Sequence, residues 1–394
     1  MNRLLLSLLV LSISLSATTI NVPADQATIQ AGIDVAVNGD TVLVGPGTFN
    51  ENLILQDKML TLASLYATTG DTSYISNTII DGNLLGATCK VDGVLSSLTM
   101  IGLTITRGAP NETNAGSGLL VLSAHSVHVI NSRIRGNNSG WPGGGGLLIS
   151  NTDSVKIENA WIYDNTNDMQ AGGIMVWNGV QDFELVNSIL AYNTIHAMTI
   201  EGTTSSKVIN STFYNNEGSD INLHPSNVDS TLVLNSIFVK DPEVPIWTYF
   251  IDEGGTCVFY NNFVTTNTTD FLTRFGRYGD NIFSTEDPFV NSGSDNFELN
   301  NYSDALGTGR SSILFNGATV FAPVTDFSGQ TRPNQQAQIL IWGHMSIHEV
   351  EYLSQYLIDF QQFKPELMLQ LMEILFLYSR ALMLKTSISM VRTL

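Results

Sequence analysis

The feature that most constrains the fold of this chain is a short pattern that recurs between Asn131 and Asn216. Each copy has an asparagine, a bulky apolar residue three positions later and a second asparagine six positions later. The copies begin at Asn131, Asn159, Asn187 and Asn210, which are 28, 28 and 23 residues apart. A repeat of this length indicates a solenoid, in which each unit packs only against its neighbours.

Each unit also contains three short β-type runs. In one unit these runs begin at Gly146, Ser154 and Asn159. The middle run alternates, so that Val155 and Ile157 face the interior and the residues between them face solvent. Three short strands within 23–28 residues are what one coil of a parallel β-helix requires. The sequence therefore predicts an all-β solenoid.

The recurring asparagines are interpreted as structural. An asparagine tolerates left-handed backbone angles at a tight turn. When coils stack, its amide can donate to one neighbour and accept from the other, which makes a ladder. Metal or sugar ligands need not recur in every coil, whereas ladder residues must. The predicted ladder residues are Asn131, Asn137, Asn159, Asn165, Asn187, Asn193, Asn210 and Asn216.

Residues 1–17 have the pattern of a secretory signal peptide. Arg3 supplies the positive charge, Leu4–Leu15 the apolar stretch and Ala17 the small residue of a cleavage site. The apolar stretch is short for a membrane span. We therefore expect a protein that is secreted or held at the cell surface, without a stable span.

A short helix is predicted before the first strands. Ile29, Ile33, Ala36 and Val37 have helical spacing, and Thr28 is the expected N-cap. Such a helix is suited to plugging the open end of a β-helix core.

The run T-I-Q-A-G-I-D-V-A-V-N-G-D-T-V-L-V-G-P-G-T-F-N-E-N, from Thr28 to Asn52, resembles the N-terminal signature of secreted right-handed parallel β-helix proteins in the pectate-lyase-like superfamily. Asp326–Pro333 resembles the closing coils of the same family. The resemblance implies a right-handed β-helix over residues 18–334 with a short N-terminal capping helix. It implies little about activity, because this fold hosts lyases, hydrolases and adhesins alike.

After Asn334 the strand pattern ends and the chain becomes rich in Leu, Met and Gln. We tested whether this tail results from translation of the gene in a shifted reading frame. With permitted synonymous codons and a one-base shift, residues 334–348 read P-A-G-S-N-P-D-M-G-A-Y-E-H-S, similar to the closing sequence of the family. Residues 359–394 then read as a second copy of the opening motif. We interpret residues 335–394 as a non-native, frame-shifted tail, helical or disordered, outside the fold.

The nucleotide sequence tests this hypothesis. We expect the shifted frame to be open from about residue 335 onward and to encode the start of a second β-helix unit. Stop codons in that frame would contradict the frame shift. They would favour the alternative, a genuine amphipathic or membrane helix over Pro365–Leu384, although Glu366, Glu373 and Arg380 interrupt it.

The charge composition indicates which classes of partner to expect. The chain carries 17 Lys and Arg residues against 36 Asp and Glu, a formal net charge of −19 at pH 7. Such an acidic surface repels nucleic acid, so none is expected as a partner. Cys89 and Cys257 lie several coils apart, and we expect buried thiols rather than a disulfide. The protein is expected to be a monomer or part of a longer chain.

Catalytic motifs are incomplete. Asn151–Asp153 matches one polygalacturonase motif by letter, but its paired Asp-Asp, Gly-His-Gly and Arg-x-Lys partners are missing. Trp161–Asp164 resembles a pectate lyase motif, again without the Arg-rich region that accompanies it. The charged residues expected on adjacent coils are Arg133, Arg135, Asp164 and Asp168. They are either solvated surface charges or a Ca²⁺ and base site. No catalytic residue or cofactor is predicted, with Ca²⁺ left open.

The predicted ligand surface is aromatic. Aromatic rings near the turns of consecutive coils stack on the apolar faces of sugars if they share one face. These residues are Trp141, Trp161, Tyr163, Trp177, Tyr192 and Tyr214. The resulting hypothesis is a secreted or cell-surface module, non-catalytic and glycan-binding or adhesive, with polysaccharide as its partner. The alternative is a lyase or glycoside hydrolase that acts on acidic polysaccharide.

Overall fold

The structure is a computed structural model. The residues that it describes are 16–111, 117–141, 143–223, 230–240, 257–265, 277–294, 296–300, 302–305, 307–327 and 331–332. Most of the predicted signal peptide (residues 1–15) and the whole predicted tail (335–394) lie outside them.

Three parallel sheets, called A, B and C here, wrap around one apolar core. Sheet A contains Thr19–Val22, Thr41–Val44, Met59–Ser64, Ser97–Ile101, Leu119–Ile130, Thr152–Glu158, Val180–Val186, Thr203–Ile209, Thr231–Leu234, Cys257–Tyr260 and Arg277–Gly279. Sheet B contains Gly47–Asn50, Thr78–Asp81, Thr104–Thr106, Arg133–Arg135, Trp161–Tyr163, Ile189–Ala191, Thr212–Tyr214, Ile237–Val239, Phe263–Thr265 and Ile282–Ser284. Sheet C contains Leu53–Leu55, Cys89–Asp92, the first part of Leu119–Ile130, Leu147–Ile149, Ile174–Val176, His196–Ile200 and Ser219–Leu223.

The register places equivalent residues of successive coils on top of one another. In sheet A, Val129 pairs with Ile157, which pairs with Leu185, which pairs with Val208. All four side chains are buried in the same core. The apolar residues of the alternating pattern therefore face the interior, as predicted. The all-β solenoid fold is confirmed.

The second asparagine of the pattern forms the ladder. The Nδ2 of Asn137 donates to Oδ1 of Asn165 (3.0 Å), Asn165 to Asn193 (3.1 Å) and Asn193 to Asn216 (3.1 Å). All four side chains are buried at the corner that follows sheet B. Oδ1 of Asn165, Asn193 and Asn216 also accepts the backbone N–H of the preceding asparagine, and Oδ1 of Asn137 accepts that of Gly108. The amides therefore satisfy polar groups at a corner where no regular sheet does so.

The first asparagine of the pattern has the left-handed backbone that was predicted for a tight turn. Asn131, Asn159, Asn187 and Asn210 make the corner between sheets A and B, with φ between 47° and 52°. Left-handed backbone at every copy explains why asparagine recurs here. The bonds of the Asn187 amide run to the closing segment, not to an asparagine of the next coil. The left-handed backbone repeats at this position in every copy, and Asn187 uses its amide for the closing segment. A side-chain ladder through the first asparagines stays a prediction.

The predicted capping helix spans Ile29–Val35 and buries Ile29 and Ile33. Thr28 is its N-cap, and its hydroxyl accepts the N–H of Ala31 (3.1 Å). Val37 was expected on the buried face, but it lies beyond the end of the helix and is 42% exposed. The chain turns extended at Ala36, which breaks the helical spacing.

Side chains from the next coil cap both ends of this helix. The carboxylate of Glu51 accepts the N–H groups of Ile29 and Gln30 (both 2.9 Å). At the other end Lys58 Nζ donates to the carbonyls of Ile33 (2.7 Å) and Ala36 (3.0 Å). An anion at the N-terminus and a cation at the C-terminus both complement the helix dipole. These contacts account for Glu51, the last of the three acidic residues in the opening motif.

The closing residues form two antiparallel strand pairs. Phe289–Asn291 pairs with Asn296–Leu299, and Phe289 and Phe297 pack on the outer face of sheet B. Ser312–Phe315 pairs with Ala318–Phe321, and Phe315 packs on the outer face of sheet A. The remaining elements are the helices Tyr66–Thr69 and Ser73–Asn77, the 3₁₀ turn Ser292–Ser294 and the short parallel pair Asn138–Ser139 with Thr166–Asn167.

The closing segment is bonded to the first-asparagine row. Arg332 Nη2 donates to Oδ1 of Asn187 (3.0 Å), whose Nδ2 donates to the carbonyl of Thr325 (2.9 Å). Asn235 exchanges two bonds with the backbone of Arg310 (2.8 Å each). These bonds join residues that are far apart in the chain along the corner between sheets A and B.

Both cysteines are buried thiols, as predicted. Burial raises the pKa of the Cys89 thiol to about 12. In the described part of the chain, no helix is both long and apolar enough to cross a membrane.

We expect Asn165→Ala to lower the free energy of unfolding by about 1–3 kcal/mol, because it leaves buried partners on both neighbouring coils unsatisfied. Its amide bonds Asn137, Asn193 and the carbonyl of Ile134. The exposed Asn178→Ala is the matched control and should change stability by less than about 0.5 kcal/mol. Equilibrium urea unfolding measures both. Equal losses would contradict the ladder's role.

Asp40 should give the fold a pH dependence at acid pH. Its carboxylate accepts the backbone N–H groups of Val37 (2.9 Å) and Thr18 (2.8 Å), and these bonds lower the pKa of Asp40 from 3.8 despite its burial. The stabilisation that these bonds give the folded state is present above pH 3.8, the ordinary pKa of the group. It is lost as the pH falls through the lower pKa that Asp40 has in the folded protein. The difference in unfolding free energy between the wild type and Asp40→Asn should therefore shrink on acidification. A difference that is constant down to about pH 2 would contradict it.

Candidate functional site

The six predicted aromatic residues fall into two separate clusters. Trp161, Tyr163, Tyr192 and Tyr214 pack together on the outer face of sheet B. The ring of Phe297 covers this cluster and lies 6.0 Å from Trp161 and 5.1 Å from Tyr214, centroid to centroid.

These four rings are consequently packing residues. The Tyr214 hydroxyl also donates to Ser292 Oγ (3.0 Å), beneath the closing strand pair. The six rings do not form one continuous face, because the strands Phe289–Asn291 and Asn296–Leu299, far away in the sequence, return over this sheet.

Trp141 and Trp177 form the other cluster, called the tryptophan pair here. Their ring centroids are 6.2 Å apart, and the ring planes are tilted by 51°. Trp177 packs against a small apolar layer on the outer face of sheet C, which includes Leu148 and Met175. Trp141 is 61% exposed. Trp177 is thus packed against sheet C, and Trp141 is exposed to solvent.

Hydrogen bonds from the next coil hold the loop that carries Trp141. The buried Asn167 donates from Nδ2 to the hydroxyl of Ser139 (2.9 Å) and to the carbonyl of Gly140 (3.2 Å). The N–H of Gly143 donates to Oε1 of Gln170 (3.1 Å). A ring on a loop fixed at both sides loses little freedom when it binds a ligand.

The glycines of this loop are required by close packing. A Cβ on Gly145 would lie 2.4 Å from the carbonyl oxygen of Thr166 and 2.5 Å from that of Gly172. A Cβ on Gly144 would meet the backbone of Leu147 still more closely. The run W-P-G-G-G-G thus lets the loop lie directly against the next coil, with the tryptophan at its outer edge.

The outer face of sheet A carries a charged row in the central coils. His128 pairs with Lys156, Lys156 with Glu184 and Glu184 with Lys207. Lys156 bonds Glu158 on its own strand (Nζ to Oε2, 2.7 Å). Burial and the charge of Lys156 lower the pKa of His128, so its imidazole is neutral at pH 7.

Lys207 is the best-placed cation in this row. Its Nζ lies 2.9 Å from both Oδ1 of Asp182 and Oε1 of Glu184. Burial alone would lower the pKa of Lys207, but the bonds to these two carboxylates outweigh it and raise the pKa. Lys207 therefore keeps its proton, which suits an ion pair and not a general base.

The motif fragments have structural roles. Asn151 has φ 42° and turns the chain from sheet C into sheet A, and Asp153 bonds Nδ1 of His125 (2.9 Å) on the surface. Arg133 lies over the Trp161 ring at 5.6 Å from its centroid. Across the described ranges, no group of three His, Cys, Asp or Glu side chains is arranged to hold a metal ion.

A family model described as "Right handed beta helix region" matches residues 117–317, just over half of the chain. The chain belongs to this right-handed β-helix family. The match covers the central coils and the closing strands of this β-helix, and it confirms the handedness that the opening motif implied. No curated protein matches the chain.

Two solved structures are similar to this β-helix. A pectate lyase, Pel9A, has a TM-score of 0.50 and 12% identity over 81% of this chain and 98% of its own. An alginate lyase from Paenibacillus sp. str. FPU-7 has a TM-score of 0.42 and 16% identity over 68% of this chain and 95% of its own. At 12% identity, the likeness to the pectate lyase extends to the fold alone.

Sequence reasoning missed the residues that support the tryptophan pair. Asn167 and Gln170 precede the next strand of sheet C in a loop with no repeat. One signal was available: Asn167 follows the ladder residue Asn165 by two positions, and four consecutive glycines one coil earlier indicate close contact.

Proposed function

We propose that this right-handed β-helix is an exported, non-catalytic module that binds a neutral glycan through the tryptophan pair. The observation that carries the proposal is Trp141, an exposed ring on a loop pinned by Asn167 and Gln170. An exposed tryptophan on a rigid support is the usual apolar anchor of a recognition surface. Export rests on the signal pattern of residues 1–17.

The charge of the protein favours a neutral ligand. With a net charge of −19, the protein repels uronate polymers unless cations bridge the two. Stacking of a sugar face on tryptophan requires no charge. A neutral polysaccharide therefore fits the acidic surface better than pectate or alginate does.

The charged row of sheet A supports binding over catalysis. Lys207, the cation nearest to two acids, is held protonated between Asp182 and Glu184. A lyase base must be unprotonated to remove the proton next to the uronate carboxyl group. The alternative function, a lyase or hydrolase of acidic polysaccharide, is tested by an activity assay on pectate and alginate.

We expect Trp141→Ala and Trp177→Ala each to weaken binding of a neutral polysaccharide about five- to tenfold, the loss of roughly 1 kcal/mol of ring stacking. The full chain is titrated with soluble xylan, mannan, galactan and β-glucan by calorimetry. Tyr302→Ala is the matched control, because Tyr302 is also an exposed aromatic side chain (91%). It should bind like the wild type.

Two outcomes would overturn the proposal. The first is binding to none of the neutral polymers, or binding that neither tryptophan substitution weakens. The second is release of unsaturated or reducing ends from pectate or alginate, with or without Ca²⁺, which would establish the enzymatic alternative.

A further inference from the structure

A lysine and an aspartate are buried together at the corner that follows sheet B. Lys240 follows the strand Ile237–Val239, and Asp220 lies in the sheet C strand Ser219–Leu223 of the preceding coil. Their side chains are 3% and 1% exposed, and Nζ of Lys240 lies 3.9 Å from Oδ1 of Asp220. Two charges taken out of water need close contacts to offset the cost of desolvation, and this separation is long.

The Asp220 carboxyl is only half satisfied. Its Oδ1 accepts from Nδ2 of Asn216 (3.3 Å), the last amide of the ladder. Its Oδ2 is buried and has no hydrogen-bond partner among the described residues. Burial raises the pKa of Asp220, and neither the charge of Lys240 nor the bond from Asn216 offsets it. The carboxyl group is therefore biased toward its neutral, protonated form.

The surroundings orient the amine and offer a proton acceptor. Nζ of Lys240 donates to the carbonyl of Gly218, two residues before Asp220. A Cβ on Gly218 would lie 3.4 Å from Nδ1 of His196, which places the imidazole beside the same backbone. Burial and the charge of Lys240 lower the pKa of His196 to about 4, so the ring is uncharged at neutral pH.

We propose that Lys240 and Asp220 join in an intramolecular isopeptide bond. A proton passes from Lys240 to Asp220 so that both groups are neutral, and Nζ then attacks Cγ, forming a C–N bond. The C–O bond to one carboxyl oxygen breaks, and that oxygen leaves as water with its own proton and one from the amine. His196, placed beside the group by Ser219 and Gly218, is the candidate to relay the proton. No oxidant or co-reactant is needed.

The product removes what is unfavourable in the present arrangement. Two buried ionisable groups become one neutral amide, and the oxygen without a partner departs. Buried, oriented groups react far faster than the same groups free in water. The bond would tie a sheet C strand covalently to the sheet B corner of the next coil.

Peptide mapping of the full wild-type chain tests the bond. Trypsin cleaves after Lys207, Lys240 and Arg274, with no other Lys or Arg between them. It does not cleave after an acylated lysine. We expect a peptide 208–274 lighter by one water than its sequence mass, with fragment ions that link Lys240 to Asp220. Recovery of unmodified peptide 208–240 from the folded protein would overturn the proposal.

Two variants provide the controls. Asp220→Asn should lose ammonia instead of water and yield a linked peptide of the same mass as the wild type. Lys240→Arg keeps the positive charge but cannot form the amide, so its peptide 208–240 should be released at full mass. A linked peptide in Lys240→Arg, or a linkage in wild-type protein that is never folded, would contradict the role of this site.

Discussion

The stacking of identical positions from coil to coil is the constraint on which this structure depends. Because the sheets are parallel and in register, each residue meets its equivalent one coil away, and any polar group at a corner must be satisfied in that direction. The amides from Asn137 to Asn216 do this at the corner after sheet B, in buried surroundings. At the corner between sheets A and B, the left-handed asparagines meet this requirement through their backbone conformation.

Much of the fold was predictable from the sequence because the repeat is local. The inward positions such as Val155 and Ile157, the N-cap Thr28 and the ladder amide Asn165 depend on spacing within one coil or between adjacent coils. The exposure of Val37 was not predictable from spacing, because the helix ends where Lys58 of the next coil caps it.

The candidate site was only partly predictable, because the return of the closing strands decides which aromatic residues are accessible. Nothing near Tyr214 in the sequence indicates that Phe297 will cover it. Trp141 stays exposed because its loop leaves the coil on the opposite side, over sheet C. The cluster of His196, Asp220 and Lys240 also gave no sequence signal, since its members lie in three successive coils with different flanking residues. The residues that differ between coils determine the chemistry of this surface. The residues that repeat form the scaffold that supports them.

The bonds between Arg332 and Asn187, and between Arg310 and Asn235, have a consequence for how such a chain changes in evolution. Solenoids usually gain or lose whole coils easily, since each coil contacts only its neighbours. Here the returning segment spans several coils with a fixed length of chain. Insertion or deletion of one coil between Asn187 and Arg310 would move its anchoring asparagines by about 5 Å, the spacing between strands. The closing segment therefore fixes the number of coils beneath it.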